Sequence, residues 1–249
     1  MRENLFRQYY STHYSRFMAE TIEHWEHAVS RIELNFGEFF SIISRNERIC
    51  DVACGVGYLE YYLLKRGFTM IDAVDLSGEM VDVAKSSLQQ FGLDVAGSVR
   101  FYHSDAFEYL RREHGYKAIA AIDFMEHLEK EKVMEFLHIC YNAMDTGGFL
   151  FARVTNADNP LWGRFFYHDL THETPFTPDS LWQCLRLGGF EPVKIGYEVL
   201  PIVRQPTRKP IARLKALFPW GRLWLVSKLL AVPVEAFAEN LMAVAKKPR

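Results

Sequence analysis

Four aspartates stand at or near the ends of short apolar segments that alternate with helical patterns. They are Asp51, Asp75, Asp105 and Asp123. The carboxyl ends of parallel strands meet at one edge of an open α/β sheet, and such sheets bind ligands at that edge. A row of carboxylates there suits a ligand that carries positive charge. The sequence therefore predicts a cleft for a cationic, nucleoside-like small molecule.

The first of these aspartates opens the run Asp51-Val52-Ala53-Cys54-Gly55-Val56-Gly57, which leaves a predicted strand and enters a predicted helix. Gly55 and Gly57 let the backbone turn tightly and approach a ligand with no side chain in the way. The first turn of the helix offers free N–H groups. Asp75 follows Gly57 by 18 residues. At the end of the second strand its carboxylate can accept both hydroxyl hydrogens of a ribose.

Glu60 separates two kinds of nucleotide ligand. A dinucleotide-binding fingerprint continues as Gly-x-Gly-x-x-Gly, which would place glycine or alanine at position 60. The chain has Glu60 there, and its carboxylate would repel a pyrophosphate at the start of the helix. S-adenosylmethionine has no phosphate and carries a sulfonium cation. The pattern favours that cofactor and leaves an NAD(P)-dependent oxidoreductase as the alternative from another enzyme class.

On these residues the chain resembles the class I S-adenosylmethionine-dependent methyltransferases, over roughly residues 45–200 and the last strand. Ala53 replaces the usual first glycine of the family motif, and because alanine is small we expect a mild effect. The resemblance implies that Asp75 holds the ribose hydroxyls, that Met80 flanks the adenine and that Asp123 lies beside the methionine part. The implied cofactor contacts are Asp51, Ala53, Gly55, Gly57, Asp75, Met80, Asp105, Ala106, Asp123 and Phe124.

Candidate catalytic residues follow the fourth predicted strand in the run Asp123-Phe124-Met125-Glu126-His127-Leu128. His127 is the candidate general base, because an imidazole titrates near physiological pH. Glu126 stands beside it, and His172 lies in a later loop that leaves the same end of the sheet. The alternative is that His127 only orders its loop.

The same residues have a metal-site interpretation. They resemble the Glu-x-x-Glu-His run and later histidine of some metal-dependent methyltransferases, among them small-RNA 2′-O-methyltransferases and ubiquinone-pathway O-methyltransferases. Asp123, Glu126, His127 and His172 would hold a divalent ion that acidifies a substrate hydroxyl. Glu-His-Leu also occurs in relatives without a metal, so metal-free chemistry remains the alternative.

Residues 169–178 carry a resemblance that concerns the acceptor. The run from Asp169 through Thr171, His172 and Pro175 is similar to bacterial methyltransferases associated with surface-glycan assembly. It implies O-methylation of a sugar or glycan in glycan biosynthesis. O-methylation of a quinone-type small molecule or of an RNA terminal ribose are the alternatives, as is a non-catalytic cofactor-binding adaptor. A purely structural role is also open, in which the loop caps the next helix through Thr177.

The pattern of apolar segments defines the elements that must position these residues. Five strand–helix units, with apolar residues at helical spacing in the helices, are followed by two strands that have no full crossover helix between them. The predicted strands are Arg48–Val52, Thr69–Val74, Val99–Tyr102, Lys117–Ile122, Phe149–Val154, Glu191–Leu200 and Leu241–Lys246. Ser77 and Thr177 are predicted helix caps, and Val133, Phe136, Leu137, Cys140 and Met144 form a helical stripe that Gly147-Gly148 ends. This order predicts a single Rossmann-like α/β domain over 1–249, with a mostly parallel sheet and an antiparallel edge strand.

Two segments surround the predicted core of residues 48–200 and the last strand in 239–249. Residues 1–47 are predicted to form a helical lid rich in aromatic residues, with Tyr14 over the cofactor. Residues 201–238 mix basic and large apolar side chains, which is typical of helices that lie in a membrane interface. The alternatives for that insertion are a lid over the acceptor, a dimer surface, a contact with RNA phosphates and a hairpin packed on its own domain.

Composition limits the class of protein. The chain has 249 residues, of which 49% are apolar and 24% charged, so a substantial core can form without disulfides. A net charge of −2 does not favour a nucleic-acid-coating protein, and we expect no DNA partner. The four cysteines lack zinc-ligand spacing, and the chain has no secretory or membrane-spanning run. We expect a cytoplasmic enzyme with a small-molecule acceptor, placed at the inner face of the membrane if the insertion binds lipid.

Overall fold

The computed structural model describes residues 22–93, 95–201, 227–229 and 233–249. Tyr14 and most of the 201–238 insertion lie outside these residues, so the lid and membrane-contact predictions stay predictions. No helix among the described residues is long and apolar enough to cross a bilayer.

Seven strands and seven α-helices have their bounds within the described residues, which also include the helical residues 227–229. The strands are β1 Ile49–Val52, β2 Ile71–Asp75, β3 Val99–His103, β4 Tyr116–Ile122, β5 Met144–Thr155, β6 Glu191–Tyr197 and β7 Asn240–Lys246. The helices are α1 Ile22–Ser41, α2 Tyr58–Lys65, α3 Gly78–Gln90, α4 Ala106–Arg112, α5 Lys130–Ala143, α6 Trp162–Phe166 and α7 Pro178–Leu187. Short 3₁₀ turns cover Met125–His127 and Val234–Phe237.

The strands form one sheet in the order β3-β2-β1-β4-β5-β7-β6. Strands β1 to β5 pair in parallel, whereas β7 runs antiparallel to both β5 and the edge strand β6. The predicted Rossmann-like sheet with an antiparallel pair at one edge is confirmed. Strand order reverses between β1 and β4, and a crevice for ligands opens at such a switch point.

Successive side chains of the central strands point to opposite faces of the sheet, and both faces are covered by helices. Ile49 of β1 and Ala118 of β4 face the layer formed by α1 and α2. Cys50 and Val52 face the opposite layer, formed by α4, α5 and α7. Coverage of both faces explains why these strands are almost continuously apolar. It also means that Asp51, between Cys50 and Val52, points to the α1–α2 side.

Helix ends follow the predicted capping signals. Ser77 accepts a hydrogen bond from the Met80 N–H at 3.3 Å, and Thr177 accepts one from Ser180 with Pro178 in the first turn. The stripe from Val133 to Cys140 is buried as predicted. Met144 is buried too, but it is not part of the helix, because α5 ends at Ala143 and Met144 begins β5 by pairing with Tyr116 of β4. The predicted helix stop at Gly147-Gly148 was therefore wrong, since these glycines lie inside a strand.

None of the four cysteines, all of which lie in the described part of the chain, is joined in a disulfide. Cys50, Cys54 and Cys140 are buried, and Cys184 is half-buried. They act as small apolar side chains of the core.

Candidate active site

A cavity of about 1110 Å³ opens at the carboxyl ends of the central strands. It gathers the predicted residues from four successive strand ends into one space. Of the predicted set it is lined by Asp51, Ala53, Gly55, Asp75, Met80, Asp105, Ala106, Asp123, Phe124, Glu126, His127 and His172. Its size suits a nucleoside cofactor together with an acceptor.

Gly57 differs from the other predicted contacts because it does not line the cavity. Its φ is +96°, and a Cβ there would lie 3.2 Å from the Cβ of Ala84 on α3. The residue serves the turn and the packing of α2 against α3. Gly55, in contrast, has φ +56°, and a Cβ added there would meet no atom within 4 Å, so its backbone is open to a ligand.

Ala53 occupies the left-handed region with φ +57°. A non-glycine residue in that region costs about 1–2 kcal/mol, because its Cβ crowds the neighbouring carbonyl oxygen. The expectation of a mild effect considered only the size of alanine. The conformation explains why glycine suits this position better.

Asp75 supports the turn and faces the cavity at once. Its Oδ2 accepts the Gly55 N–H at 2.9 Å, and its Oδ1 accepts the Ser77 N–H at 2.8 Å. A carboxylate oxygen accepts more than one hydrogen bond, so both oxygens keep capacity for ribose hydroxyls. Burial raises the pKa of Asp75, and the two N–H donors oppose that rise.

Asp105 and Met80, which the resemblance assigns to the adenine, both line the cavity. Asp105 caps α4 by accepting the Glu108 N–H at 3.0 Å, so it has a structural task whatever it binds. Met80 is buried in the first turn of α3, and Ala106 is buried in that of α4. Both residues also line the cavity.

Asp123 forms a bidentate ion pair with Arg153, a residue that the sequence patterns did not single out. Arg153 Nε lies 2.6 Å from Asp123 Oδ1, and Arg153 Nη2 contacts Asp123 Oδ2. Burial would raise the pKa of Asp123, but Arg153 outweighs burial and lowers it. Arg153 also contacts Glu198 at 3.4 Å, and Glu198 binds Arg31 of α1 at 2.7 Å. This chain of charges joins α1 to the sheet along the cavity wall.

A hydrogen-bonded chain orients the imidazole of His127. The hydroxyl of Thr171 donates to Asp169 Oδ1 at 2.6 Å, because a carboxylate can only accept. The Thr171 oxygen therefore accepts from His127 Nδ1, which lies 2.8 Å away. This order of donors places the lone pair of neutral His127 on Nε2.

His172 packs edge-on against His127, with ring centroids 4.7 Å apart. Its Nδ1–H donates to the Phe166 carbonyl at 2.9 Å, so its lone pair also lies on Nε2. Burial, followed by the neighbouring His172, lowers the pKa of His127 to about 4. His127 is therefore neutral at physiological pH, as a base or a metal ligand must be. Its pKa nevertheless lies below the near-physiological value on which its choice as general base rested, which makes its Nε2 a weak base.

Glu126 is buried, with 1% of its surface exposed, and its Oε2 has no hydrogen-bond partner. Burial raises its pKa well above the usual range, and Asp123 raises it further. Its carbonyl accepts the N–H groups of Glu173 and Thr174 at 2.8 and 3.0 Å. Glu126 thus anchors the 169–178 loop through its backbone, and its carboxyl is poorly suited to act as a base.

Among the described residues, one potential metal-ligand group stands out: His127, Asp169 and His172, with one ligand atom from each within 4.8 Å of the others. This set differs from the predicted one. Asp123 is held by Arg153, and Glu126 is not part of the group. Asp169 takes their place as the carboxylate of the group. The sequence feature that could have indicated Asp169 is its position in the 169–178 run.

Comparisons with known proteins agree with this geometry. Residues 49–148 match the family model described as methyltransferase domain. The chain is 30% identical over 114 residues to the "Probable fatty acid methyltransferase" of Mycobacterium tuberculosis, covering 45% of this chain and 26% of that protein. It is 27% identical over 131 residues to ubiquinone biosynthesis O-methyltransferase of Coxiella burnetii, covering 52% of each.

Structural similarity to known proteins covers nearly the whole chain. The crystal structure of magnesium protoporphyrin IX methyltransferase from Synechocystis with bound S-adenosylmethionine superposes with a TM-score of 0.63. The superposition covers 99% of this chain and 97% of that one at 14% identity. Residues 49–148 thus match a methyltransferase domain, and the fold is that of S-adenosylmethionine-dependent methyltransferases of known structure. Because the chain spans about half the length of one relative and a quarter of the other, those comparisons do not decide its acceptor.

Proposed function

We propose that the protein transfers a methyl group from S-adenosylmethionine to an oxygen of a small-molecule acceptor. One observation carries this proposal. The glycine turn and its aspartates share a single cavity with the His127–Thr171–Asp169 chain. An imidazole that is fixed by its Nδ1–H and carries a lone pair on Nε2 is suited to accept a hydroxyl proton.

The residues of the cavity divide into two tasks. When bound, the cofactor supplies an electrophilic methyl group on a sulfonium. Asp75 is placed to bind hydroxyls, and Met80 with Ala106 to pack a flat ring. His127 Nε2 takes the proton of the acceptor hydroxyl, while Thr171 and Asp169 hold its tautomer. Positioning of the hydroxyl against the methyl supplies much of the rate enhancement.

We propose a sugar or glycan hydroxyl as the acceptor. The 169–178 loop supports this choice, because Asp169 and His172 of that loop line the cavity with Arg164 and His168. Hydrogen-bonding and cationic side chains suit a polar, hydroxyl-rich acceptor. A quinone-type phenol is the second candidate, favoured by the ubiquinone biosynthesis relative. The methyltransferase-domain match disfavours an NAD(P)-dependent oxidoreductase.

A divalent metal is the alternative means of acidifying the hydroxyl, with His127, Asp169 and His172 as its ligands. Two imidazoles and a carboxylate suit a first-row transition ion, and the Nδ1–H groups of both histidines are tied to acceptors in the manner of metal sites. Activity unchanged by EDTA would remove this alternative. Co²⁺ absorption spectra of wild type, His172→Ala and the exposed control His138→Gln would test the ligands directly.

Methyl transfer to defined acceptors tests the function. Purified protein receives S-adenosylmethionine labelled in the methyl group, with glycan fragments, a catechol-type quinol and short RNA as separate acceptors. We expect label in the glycan fraction and its loss in His127→Gln. Label in the quinol alone would replace the sugar assignment. Label transfer to none of them, with the cofactor bound, would favour an adaptor.

The membrane proposal for residues 201–238 has its own test. We expect the protein to float with vesicles that contain anionic lipid, because the segment is rich in basic and apolar residues. Absence from the vesicle fraction at low salt would contradict peripheral binding.

A further inference from the structure

Two carboxyl groups meet behind the glycine turn. Asp51 points from β1 toward the α1–α2 layer, and Glu60 lies in the first turn of α2. Asp51 is 3% exposed and Glu60 is fully buried. Asp51 Oδ1 and both carboxyl oxygens of Glu60 have no hydrogen-bond partner. Burying a charged carboxylate oxygen without a hydrogen-bond partner costs free energy. The pair therefore needs either a proton or a nearby cation.

Helix capping does not account for Glu60. A glutamate at the third helical position often bonds back to the N–H of the capping residue. Here the capping residue is Gly57, and neither oxygen of Glu60 has a partner. The carboxyl instead interacts with that of Asp51, the member of the pair that lines the cavity. Glu60 therefore acts on the cavity through Asp51.

The surroundings of the pair are negative. Burial raises the pKa of Asp51 well above its usual range, and Glu60 raises it further. Burial also raises the pKa of Glu60, to about 7. Asp75 faces the pair from β2 and adds negative charge, which His103 of β3 partly offsets. The thiols of Cys54 and Cys50 have raised pKa values and stay neutral.

We propose that Asp51 and Glu60 share one proton in the free protein and release it to solvent when the cationic cofactor binds. The pair then changes from one negative charge to two as the positive charge of the cofactor arrives. Glu60 is thus a positioning residue for cofactor binding. This inference rests on the cofactor assignment and is independent of the acceptor.

The sign of the effect follows from linkage. A ligand that binds the ionised pair more tightly releases protons, so its affinity rises with pH through the range in which the pair titrates. If the cofactor lowers the pKa of the pair from about 7 by one unit, affinity rises about fivefold between pH 6 and 8, and about tenfold over the whole titration. In Glu60→Gln one carboxylate remains, and affinity should be nearly constant over that range.

Isothermal titration calorimetry with S-adenosylmethionine, in two buffers of different ionisation enthalpy at pH 7, counts the released protons. We expect release of a fraction of a proton in wild type and in Glu79→Gln, a control at an exposed carboxyl in the first turn of α3. We expect almost none in Glu60→Gln. Wild type without proton release, or Glu60→Gln with undiminished release, overturns the inference. Wild type that binds no S-adenosylmethionine overturns the cofactor assignment instead.

Discussion

Thr171 Oγ1 lies 2.8 Å from His127 Nδ1 and gives its own hydrogen to Asp169. A single hydroxyl thereby determines which nitrogen of His127 can accept a proton. The backbone N–H of Thr171 also donates to Asp169 Oδ1 at 2.8 Å, which fixes the hydroxyl in place.

Replacing this hydroxyl should slow the chemical step and leave acceptor binding nearly unchanged. In Thr171→Val the Nδ1–H of His127 loses its acceptor, and the imidazole can take the wrong tautomer. We expect kcat to fall about 10- to 100-fold, part of the 10²–10⁴ that general-base catalysis contributes, with KM within about threefold. Thr171→Ser restores the hydroxyl and should recover most of the rate. Equal losses of rate in the serine and valine variants would contradict the orienting role.

Acid should destabilise the fold partly through His127. Its pKa is about 4 in the folded protein and about 6.5 in an unfolded chain. The unfolded state therefore takes up the proton first, and stability that is complete above pH 6.5 is lost as pH falls toward 4. The shift corresponds to about 3 kcal/mol. Urea denaturation in EDTA between pH 7.5 and 4.5 should show a shallower loss in His127→Gln. Parallel curves for the two proteins would argue against a depressed pKa.

Glycine at position 53 should stabilise the protein. Ala53 has φ +57°, and relief of its strain exceeds the entropy that glycine adds to the unfolded chain. We expect Ala53→Gly to raise the free energy of unfolding by up to about 1 kcal/mol. Ala73→Gly, in the buried middle of β2, is the control and should lower it. Loss of stability in both variants would show that the turn is not strained.

Arg153 should be among the most sensitive residues of the cavity wall. Arg153→Met leaves the Asp123 and Glu198 carboxylates without their shared cation. The Asp123 side chain is 45% exposed and Glu198 keeps its pair with Arg31. We therefore expect a loss of about 1–3 kcal/mol, less than the ~3–5 kcal/mol for breaking a fully buried pair. Lys194→Met breaks the exposed pair with Glu38 and should cost less than about 1 kcal/mol. Chemical denaturation measures both, and similar small losses would mean that solvent screens the Arg153 network.

Much of the fold could be predicted from local pattern. The β-branched strands, the capping residues Ser77 and Thr177 and the apolar stripe of α5 each depend on nearby residues. The start of β5 at Met144 could not be predicted, because its pairing with Tyr116 is a contact distant in sequence.

The cavity shows the same division. The glycine turn and the strand-end aspartates carry a spacing signal, so their convergence was predicted. Arg153, Asp169 and the role of Glu60 depend on tertiary contacts: an ion pair with Asp123, a loop that folds back to His127, and burial behind Asp51. The spacing of residues along the chain contains none of these contacts.

Calorimetry with S-adenosylhomocysteine and with NADH, on wild type, Asp75→Ala and the exposed control Asp82→Asn, tests the central claim most directly. We predict that wild type and Asp82→Asn bind S-adenosylhomocysteine and do not bind NADH. Asp75→Ala should bind at least about tenfold more weakly, because the carboxyl group that accepts the two ribose hydroxyls is lost. Tight binding of NADH alone, or full affinity in Asp75→Ala, would contradict the account.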